Sequence, residues 1–183
     1  MISHSYAIHA LEDTPQVRAA LTEILIEVVA AGASVDFMHP LKQEDANAFW
    51  DGALAAAARR ERVILGAWDG DFLTGTATLQ LHCPPNQPHR AEISKMMTRL
   101  SHQGRGIGTA LLQAAEKLAV QHRRTLLVLA TARDEGASSF YERQGYRVAG
   151  EIPDCAFRPH GALTATMIYW KRITEEFPEM VKP

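Results

Sequence analysis

The stretch Gln-Gly-Arg-Gly-Ile-Gly at positions 103–108 stands between a run of strand-forming residues and a strongly helical segment. Glycines at alternate positions allow a tight turn that exposes successive backbone N–H groups. The helix that begins near this turn adds the positive end of its dipole. We therefore predict a phosphate cradle able to hold a pyrophosphate, formed by Gln103, Gly104, Arg105, Gly106, Ile107 and Gly108.

Other glycine-rich phosphate-binding loops have different sequence patterns. A dinucleotide-binding loop needs a third glycine where Thr109 stands, and a nucleotide-binding P-loop needs Gly-Lys followed by Ser or Thr. Neither pattern is met. The alternative that remains is a glycine-rich turn between a strand and a helix, with no ligand.

The composition is that of an ordinary globular protein. The chain has 183 residues, 46% of them hydrophobic and 22% charged, which suits one domain over residues 1–183 that buries about 70% of its unfolded surface. The apolar run at 21–33 is interrupted by Glu23 and Glu27, so it predicts no membrane span. Residues 1–10 do not resemble a signal peptide, so we expect a cytoplasmic protein. The net charge of −2 offers no basic surface for nucleic acid.

The cysteines predict neither a disulfide framework nor a metal centre. Cys83 and Cys155 lack Cys-x-x-Cys spacing, so we interpret both as free thiols. His82 and His89 flank the proline-rich loop that contains Cys83 and could be drawn with it as ligands. Histidines on a solvated loop are much commoner than such a site, and we expect no metal.

Hydrophobic periodicity and turn residues predict a mixed α/β layout in the order β-α-α-β-β-β-α-β-α-β-β. Thr14 and Pro15 signal the start of the first helix, and Gly32 its end. The further helices are expected at 45–60, 104–122 and 137–144. Strands are expected at 6–11, 63–68, 73–82, 90–98, 126–131, 146–152 and 164–173.

Two motifs together resemble the GCN5-related N-acetyltransferase (GNAT) superfamily. The first is the stretch at 103–108, which matches the superfamily's pyrophosphate loop; the second is Ala-Ser-Ser-Phe-Tyr-Glu-Arg-Gln-Gly-Tyr at 137–146, which matches its late helix and strand. Two motifs in the right order are far more specific than one. The resemblance implies a mixed, mostly antiparallel central sheet flanked by helices, with acetyl-CoA as co-substrate and no metal.

Within that superfamily the chain is similar to the tabtoxin-resistance acetyltransferases. The shared segments are Gly-Ala-Ser-Val at 32–35, Phe-Met at 37–38, Arg-Ala-Glu at 90–92, Gly-Glu-Ile-Pro at 150–153 and Ile-Tyr at 168–169. Two positions depart from the pattern. Ala130 stands where that subgroup has an aspartate, and Asp134 stands where many superfamily members place an asparagine near the cofactor.

Acetyl transfer to an amine needs the neutral amine. An amine with a pKa near 10.4 is neutral in only about one molecule in 2,500 at pH 7, whereas an α-amino group with a pKa near 8 is neutral in about one in ten. Glu92 lies on the strand that precedes the cradle and is our candidate base, acting directly or through water. The alternative is a surface carboxylate paired with Arg90 or Lys95; the subgroup resemblance favours catalysis.

Tyr141 matches the superfamily tyrosine that protonates the departing thiolate. Its alternative role is to pack beside Phe140 in the core. The backbone of Met97 and Thr98 is expected to hold the pantetheine arm, and the backbone N–H of Met97 or of Thr98 is expected to be the donor to the oxyanion. The pyrophosphate is expected on residues 103–109, ending at Thr109, and Arg105 or Arg143 could contact the outer phosphate.

The acceptor site is predicted only by its walls. The loop between the first two helices supplies Ala33, Ser34, Val35 and Phe37, and the loop at 155–160 supplies Phe157. Phe37 and Phe157 could equally be core residues. Their mixed polarity favours a small amino-acid-like amine, and the resemblance suggests a toxin or antibiotic.

The predicted function is therefore an acetyl-CoA-dependent N-acetyltransferase for a small amine. Two alternatives stay open: a protein or peptide N-acetyltransferase, and a non-catalytic acyl-CoA-binding module. An exposed face on the last strands could support a homodimer.

Overall fold

The computed structural model describes residues 6–133 and 136–174. Seven strands form one sheet in the order β1-β2-β3-β4-β5-β7-β6. The parallel pair is β4 and β5, and every other neighbouring pair is antiparallel. The strands are β1 (Ala7–Ala10), β2 (Arg62–Asp69), β3 (Phe72–Gln80), β4 (Arg90–Thr98), β5 (Leu126–Ala132), β6 (Arg147–Phe157) and β7 (Leu163–Arg172).

Among the described residues four α-helices cover the sheet: α1 (Pro15–Ala30), α2 (Gln43–Ala58), α3 (Ile107–Gln121) and α4 (Ala137–Arg143), and a 3-10 turn at Leu100–His102 precedes α3. The predicted element order and mixed sheet are confirmed. A hydrophobic cluster of α1 and α2 contains Leu21, Leu25 and Trp50, and a separate cluster contains Leu111 and Leu112 of α3 together with Tyr141 of α4. Each of these two clusters also takes in residues of the sheet. The N-terminus of α1 forms as its sequence predicts, since Val17 N–H donates to Thr14 Oγ1 at 3.2 Å.

Strands β4 and β5 pair only where they begin. Residues 90–92 lie in register with residues 126–128, and beyond them the two strands are no longer paired. On its other side β4 stays paired with β3 as far as Thr98. Within the described ranges, therefore, no strand covers one backbone edge of the second half of β4, and this uncovered edge positions the site.

A β-bulge interrupts β4 at the same place. Thr76 pairs with Met97 and Thr78 with Ser94, so β4 holds one residue more than β3 in this interval. Lys95 in the bulge has a left-handed backbone, with φ of 49°. An extra residue moves the following side chains to the opposite face. Consequently Ile93 packs in the cluster beneath α3, whereas Met97 packs beneath α1 and α2.

Strand β6 is longer than the predicted 146–152. Pro153 and the polar residues after it predict a loop from Cys155, but the strand continues to Phe157. It continues because β6 is an edge strand, where a proline without N–H is tolerated. A register shift between Ile152 and Ala156 absorbs extra residues, and Asp154 there has φ of 50°. The connecting turn is closed by Arg158 N–H donating to the carbonyl of Ala162 at 2.9 Å.

Candidate active site

The phosphate cradle forms a tight turn into α3. Gly104 and Gly106 have φ of 73° and 82°, a conformation that other residues adopt only with strain. A Cβ built on either glycine meets no atom within 4 Å, so the space above the turn is open. No side chain caps the N-terminus of α3, and its first turn has no acidic residue. Its first N–H groups are therefore left to bind an anion.

The cradle forms one side of a cleft of about 550 Å³. The cleft continues along the uncovered edge of β4 to α4. Its walls contain Met96, Met97, Thr98, His102, Gln103, Gly104, Gly106, Ile107, Gly108, Thr109, Leu111, Gly136, Ala137, Phe140 and Tyr141. Most of the predicted cofactor residues thus come together in one cavity.

The predicted arginine contacts have a different placement. Arg105 donates from Nη2 to the carbonyl of Ser101 at 2.9 Å and does not line the cleft. Arg143 is exposed at the end of α4 and does not line it either. Asp134 lies outside the described residues.

Backbone hydrogen bonds on β4 show which amides face the cleft. Arg99 N–H donates to Thr74 O on β3 at 2.8 Å. Since backbone groups alternate between the two edges of a strand, Met97 also faces β3, while Met96 and Thr98 face the cleft. Consistently, Thr98 O accepts from Gln103 Nε2 at 3.4 Å. The assignment of Met97 and Thr98 to the pantetheine arm stays a prediction: both residues line the cleft, and Met96 lines it as well, but the backbone groups of Met97 are directed towards β3.

A second, smaller cavity of about 180 Å³ lies beside β4 on the side of the α1–α2 loop. It is lined by Ser34, Val35, Asp36, Glu92, Ile93, Ser94, Lys95, Met96, Ala130, Thr131 and Tyr141. Met96 and Tyr141 line both cavities. A donor group in the larger cavity and an acceptor in the smaller one would meet at these two side chains.

Tyr141 is buried at this junction. Its hydroxyl donates to Met96 Sδ at 3.7 Å, and its ring packs edge-on against Phe140 with 5.1 Å between centroids. Burial raises the pKa of Tyr141 to about 12. The phenol therefore stays protonated throughout the physiological pH range. The packing role considered from the sequence is therefore present, because the ring lies in the core, and the hydroxyl reaches the junction; its role towards the departing thiolate stays a prediction.

Glu92 lines the smaller cavity, which we call the acceptor cavity, with a side chain that is 41% exposed. Arg90 Nη2 lies 3.4 Å from Glu92 Oε2, so the predicted ion pair is also present. Lys95, the other suggested partner, instead pairs with Asp36. Ala130 faces the same cavity from β5. At the position where the tabtoxin-resistance subgroup has an aspartate, this wall presents a methyl group.

The predicted substrate residues separate into three groups. Ser34 and Val35 line the acceptor cavity. Ala33 and Phe37 pack against the α1–α2 cluster and do not line the cavity. Phe157, on the longer β6, has 60% of its surface exposed and does not line it either.

The tip of the β6–β7 hairpin does reach the α1–α2 loop, as the sequence predicts. His39 N–H donates to Pro159 O at 2.9 Å, and His160 Nε2 lies 3.0 Å from Ala30 O. The hairpin therefore holds this loop in place without contributing Phe157 to the cavity.

Sequence reasoning missed Asp36, Lys95 and Met96. All three line the acceptor cavity, and Met96 also lines the cleft. The placement of Lys95 and Met96 depends on the bulge, whereas Asp36 comes from the α1–α2 loop. The only local signal is that strict alternation along β4 fails around two consecutive methionines.

The sequence profile of the acetyltransferase (GNAT) family matches residues 26–146, which contain the cradle, α4 and both cavities. The chain belongs to the GNAT family. Enzymes of this family take the acetyl group from acetyl-CoA, which confirms the co-substrate predicted from the sequence. The finer likeness to tabtoxin-resistance acetyltransferases stays a prediction.

Solved structures share the GNAT fold at low sequence identity. One is a Salmonella typhimurium protein provisionally named an acetyltransferase, solved with its cofactor acetyl-CoA. It is 18% identical to this chain, the match covers 97% of this chain and 99% of that chain, and the TM-score is 0.77. A ribosomal-protein-alanine N-acetyltransferase from Brucella melitensis is 18% identical, with 91% and 99% covered and a TM-score of 0.75. A provisionally named phosphinothricin N-acetyltransferase is 20% identical, with 93% and 100% covered and a TM-score of 0.74.

The described ranges contain neither a candidate metal cluster nor a candidate membrane span. Within residues 6–133 and 136–174, no group of three or more His, Cys, Asp or Glu side chains is arranged to hold a metal ion. Over the same ranges, no helix has the length and apolar character needed to cross a membrane.

Proposed function

We propose that this GNAT protein transfers the acetyl group of acetyl-CoA to the amine of a small, amino-acid-like compound. The observation that carries the proposal is the meeting of two cavities at Met96 and Tyr141. The larger cavity ends at an uncapped helix N-terminus suited to a pyrophosphate. The smaller one contains carboxylate, ammonium and hydroxyl groups, which suits a polar amine.

Acetyl-CoA supplies a thioester, whose C–S bond breaks as the new C–N bond forms. The amine enters as an ammonium ion and must lose a proton before it attacks, and Glu92 is the carboxylate in the cavity placed to accept that proton. The nitrogen loses two protons in all, one before attack and one as the amide forms; one of them ends on the departing sulfur and the other goes to solvent, so the products are an N-acetyl amide, CoA as the thiol, and one proton.

Tyr141 donates a hydrogen bond to the departing sulfur. With a pKa of about 12 against about 8.5 for an ordinary thiol, complete proton transfer from the phenol to a free thiolate is uphill. Its contribution is therefore stabilisation of the developing negative charge. The cleft-facing N–H of Met96 supplies the donor for the carbonyl oxygen.

A small acceptor fits better than a protein segment. Ligand pockets for drug-sized molecules are about 300–1,000 Å³, whereas the acceptor cavity is about 180 Å³. The structural relatives named for phosphinothricin and for a ribosomal-protein alanine show that one fold is associated with both acceptor classes. The cavity size, rather than the fold, is what favours the small acceptor.

The test is CoA thiol release from acetyl-CoA with β-lactam amino acids, phosphinothricin, polyamines and lysine peptides. Release with a small amino-acid-like amine is the expected result. Release with peptides alone would replace the proposal with protein acetylation. Tight acetyl-CoA binding without release from any acceptor would favour a binding module. A detoxifying role further requires that the accepted compound is a toxin whose acetylation protects growing cells.

A further inference from the structure

Lys95 is a fixed cation at the wall of the acceptor cavity. Its side chain is only 10% exposed, and its ammonium lies 5.4 Å from the ring centroid of Phe49 and 6.0 Å from that of Phe37. Cation–π attraction at such distances holds the ammonium in place. The left-handed backbone of the bulge sets the direction from which the side chain starts.

The counterion of Lys95 is much less constrained. Asp36 lies on the α1–α2 loop with a side chain that is 83% exposed. A carboxylate this exposed keeps most of its hydration in the ion pair, so Asp36 itself loses little on leaving it, while the buried ammonium continues to need an anionic partner. A lysine ammonium also has three donors, so one carboxylate does not saturate it. Another anion could therefore share or replace Asp36 at little cost.

The cavity beside Lys95 combines unlike groups. Glu92, whose carboxylate can accept a proton from an amine, lines the same cavity of about 180 Å³ as Lys95. Ser34 and Thr131 add hydroxyl groups to its walls. A molecule small enough to fill this space contacts both charges at once. The wall that Ala130 provides carries no charge to repel an anion.

We propose that Lys95 binds the carboxylate of the acceptor, in exchange for Asp36, and thereby selects amino acids over amines that lack an acid group. This inference rests on the proposed function, because it names the group that the acceptor presents. Lys95 is a specificity-determining residue in this proposal, while Glu92 serves the amine.

The competing explanation is that Lys95 only stabilises the bulge. A structural role would affect all acceptors alike, whereas carboxylate recognition affects only those that carry the acid. The informative quantity is therefore the ratio of kcat/KM for an acid to that for its amide, which cancels general damage to the fold.

The experiment measures this ratio for the standard L-amino acids, their primary amides and the corresponding decarboxylated amines. We expect the wild-type enzyme to prefer the acid by at least tenfold. In Lys95→Met the preference should fall at least tenfold, with acetyl-CoA affinity within about twofold of wild type. Asp36→Asn should keep or increase the preference, because it removes the competing anion. Lys117→Met, the same change on an exposed face of α3, should leave the ratio unaltered.

Equal use of acids and amides by the wild type, or a preference for diamines, would overturn the role of Lys95 while leaving small-amine acetylation intact. An equal loss on acids and amides in Lys95→Met would reduce Lys95 to a structural residue. Acetylation of peptides alone would remove the proposed function and this inference together.

Discussion

The hydroxyl of Tyr141 on α4 donates to the thioether sulfur of Met96 on β4 across 3.7 Å, at the boundary between the two cavities. Thioether sulfur is a weak acceptor. The hydrogen bond is therefore easily exchanged for one to a better acceptor, such as a sulfur that is gaining negative charge. The phenol is already protonated, buried and aimed at the junction before any substrate arrives.

Removing this hydroxyl should slow turnover without weakening acetyl-CoA binding. Losing one hydrogen-bond donor to a developing negative charge costs about 10²–10³ in kcat, and we expect Tyr141→Phe, which retains the ring that packs in the core, to lower kcat about 100-fold. Stopped-flow or steady-state thiol release measures kcat, and calorimetry measures acetyl-CoA affinity. The matched control is Tyr146→Phe, another buried phenol that lines neither cavity. Similar kcat values for the two variants would contradict the assignment.

Tyr141 should also make stability depend on alkaline pH. Its pKa is raised from about 10 to about 12, so the folded state holds a proton that the unfolded state loses first. The stabilisation is complete below pH 10 and is lost as the pH rises through 12; a shift of this size corresponds to about 2–3 kcal/mol.

Urea unfolding at pH 9, 10 and 11 checks this dependence. We expect the free energy of unfolding of wild type to fall more steeply than that of Tyr141→Phe above pH 10. Burial raises the pKa of Tyr146 as well, so some alkaline loss should remain in the variant. Parallel curves for the two proteins would show that Tyr141 titrates normally.

Glu92→Gln should lower kcat/KM by about 10²–10⁴, since the amide cannot accept the acceptor's proton. Acetyl-CoA affinity should be unchanged, because Glu92 lines only the acceptor cavity. The loss should be larger for an acceptor amine of pKa 10 than for one of pKa 8, since less of the former is neutral at pH 7. Glu44→Gln, on the first turn of α2, is the control. If Glu92→Gln kept activity within twofold of wild type, Glu92 would not be the base, and its ion pair with Arg90 would be its remaining role.

Gly106→Ala should weaken acetyl-CoA binding at least tenfold. Its φ of 82° strains an alanine by about 1–2 kcal/mol, and the added methyl group projects into the space where the pyrophosphate is expected. The control is Gly52→Ala, inside α2, where a Cβ also meets no atom within 4 Å. That change should instead stabilise the protein by about 0.5–1 kcal/mol. Unchanged acetyl-CoA affinity in Gly106→Ala would place the pyrophosphate elsewhere.

The parts of the site that could be predicted from the sequence are those that depend on neighbouring residues. The turn at Gly104 and Gly106, the start of α3 and the helix bearing Tyr141 are local features, and the sequence indicated all of them. The bulge at Lys95 depends on how β4 pairs with β3, which no short segment specifies. The pairing of Lys95 with Asp36 joins residues 59 positions apart, and the outer position of β6 decides the exposure of Phe157. These depend on the whole sheet.

The bulge in β4 also places Ile93 and Met97, which are four positions apart and would otherwise share one face of the strand, on opposite faces of the sheet. Met97 packs beneath α1 and α2, whereas Met96, one position away, lines both cavities. Substitutions at residue 96 can therefore change the surface where the two cavities meet, while Met97 still packs the sheet against α1 and α2. Deleting one residue here would remove the bulge and force β4 either to lose its pairing with β3 or to turn one half of its side chains to the opposite face, so a single deletion in β4 should harm folding and catalysis more than most substitutions in either cavity.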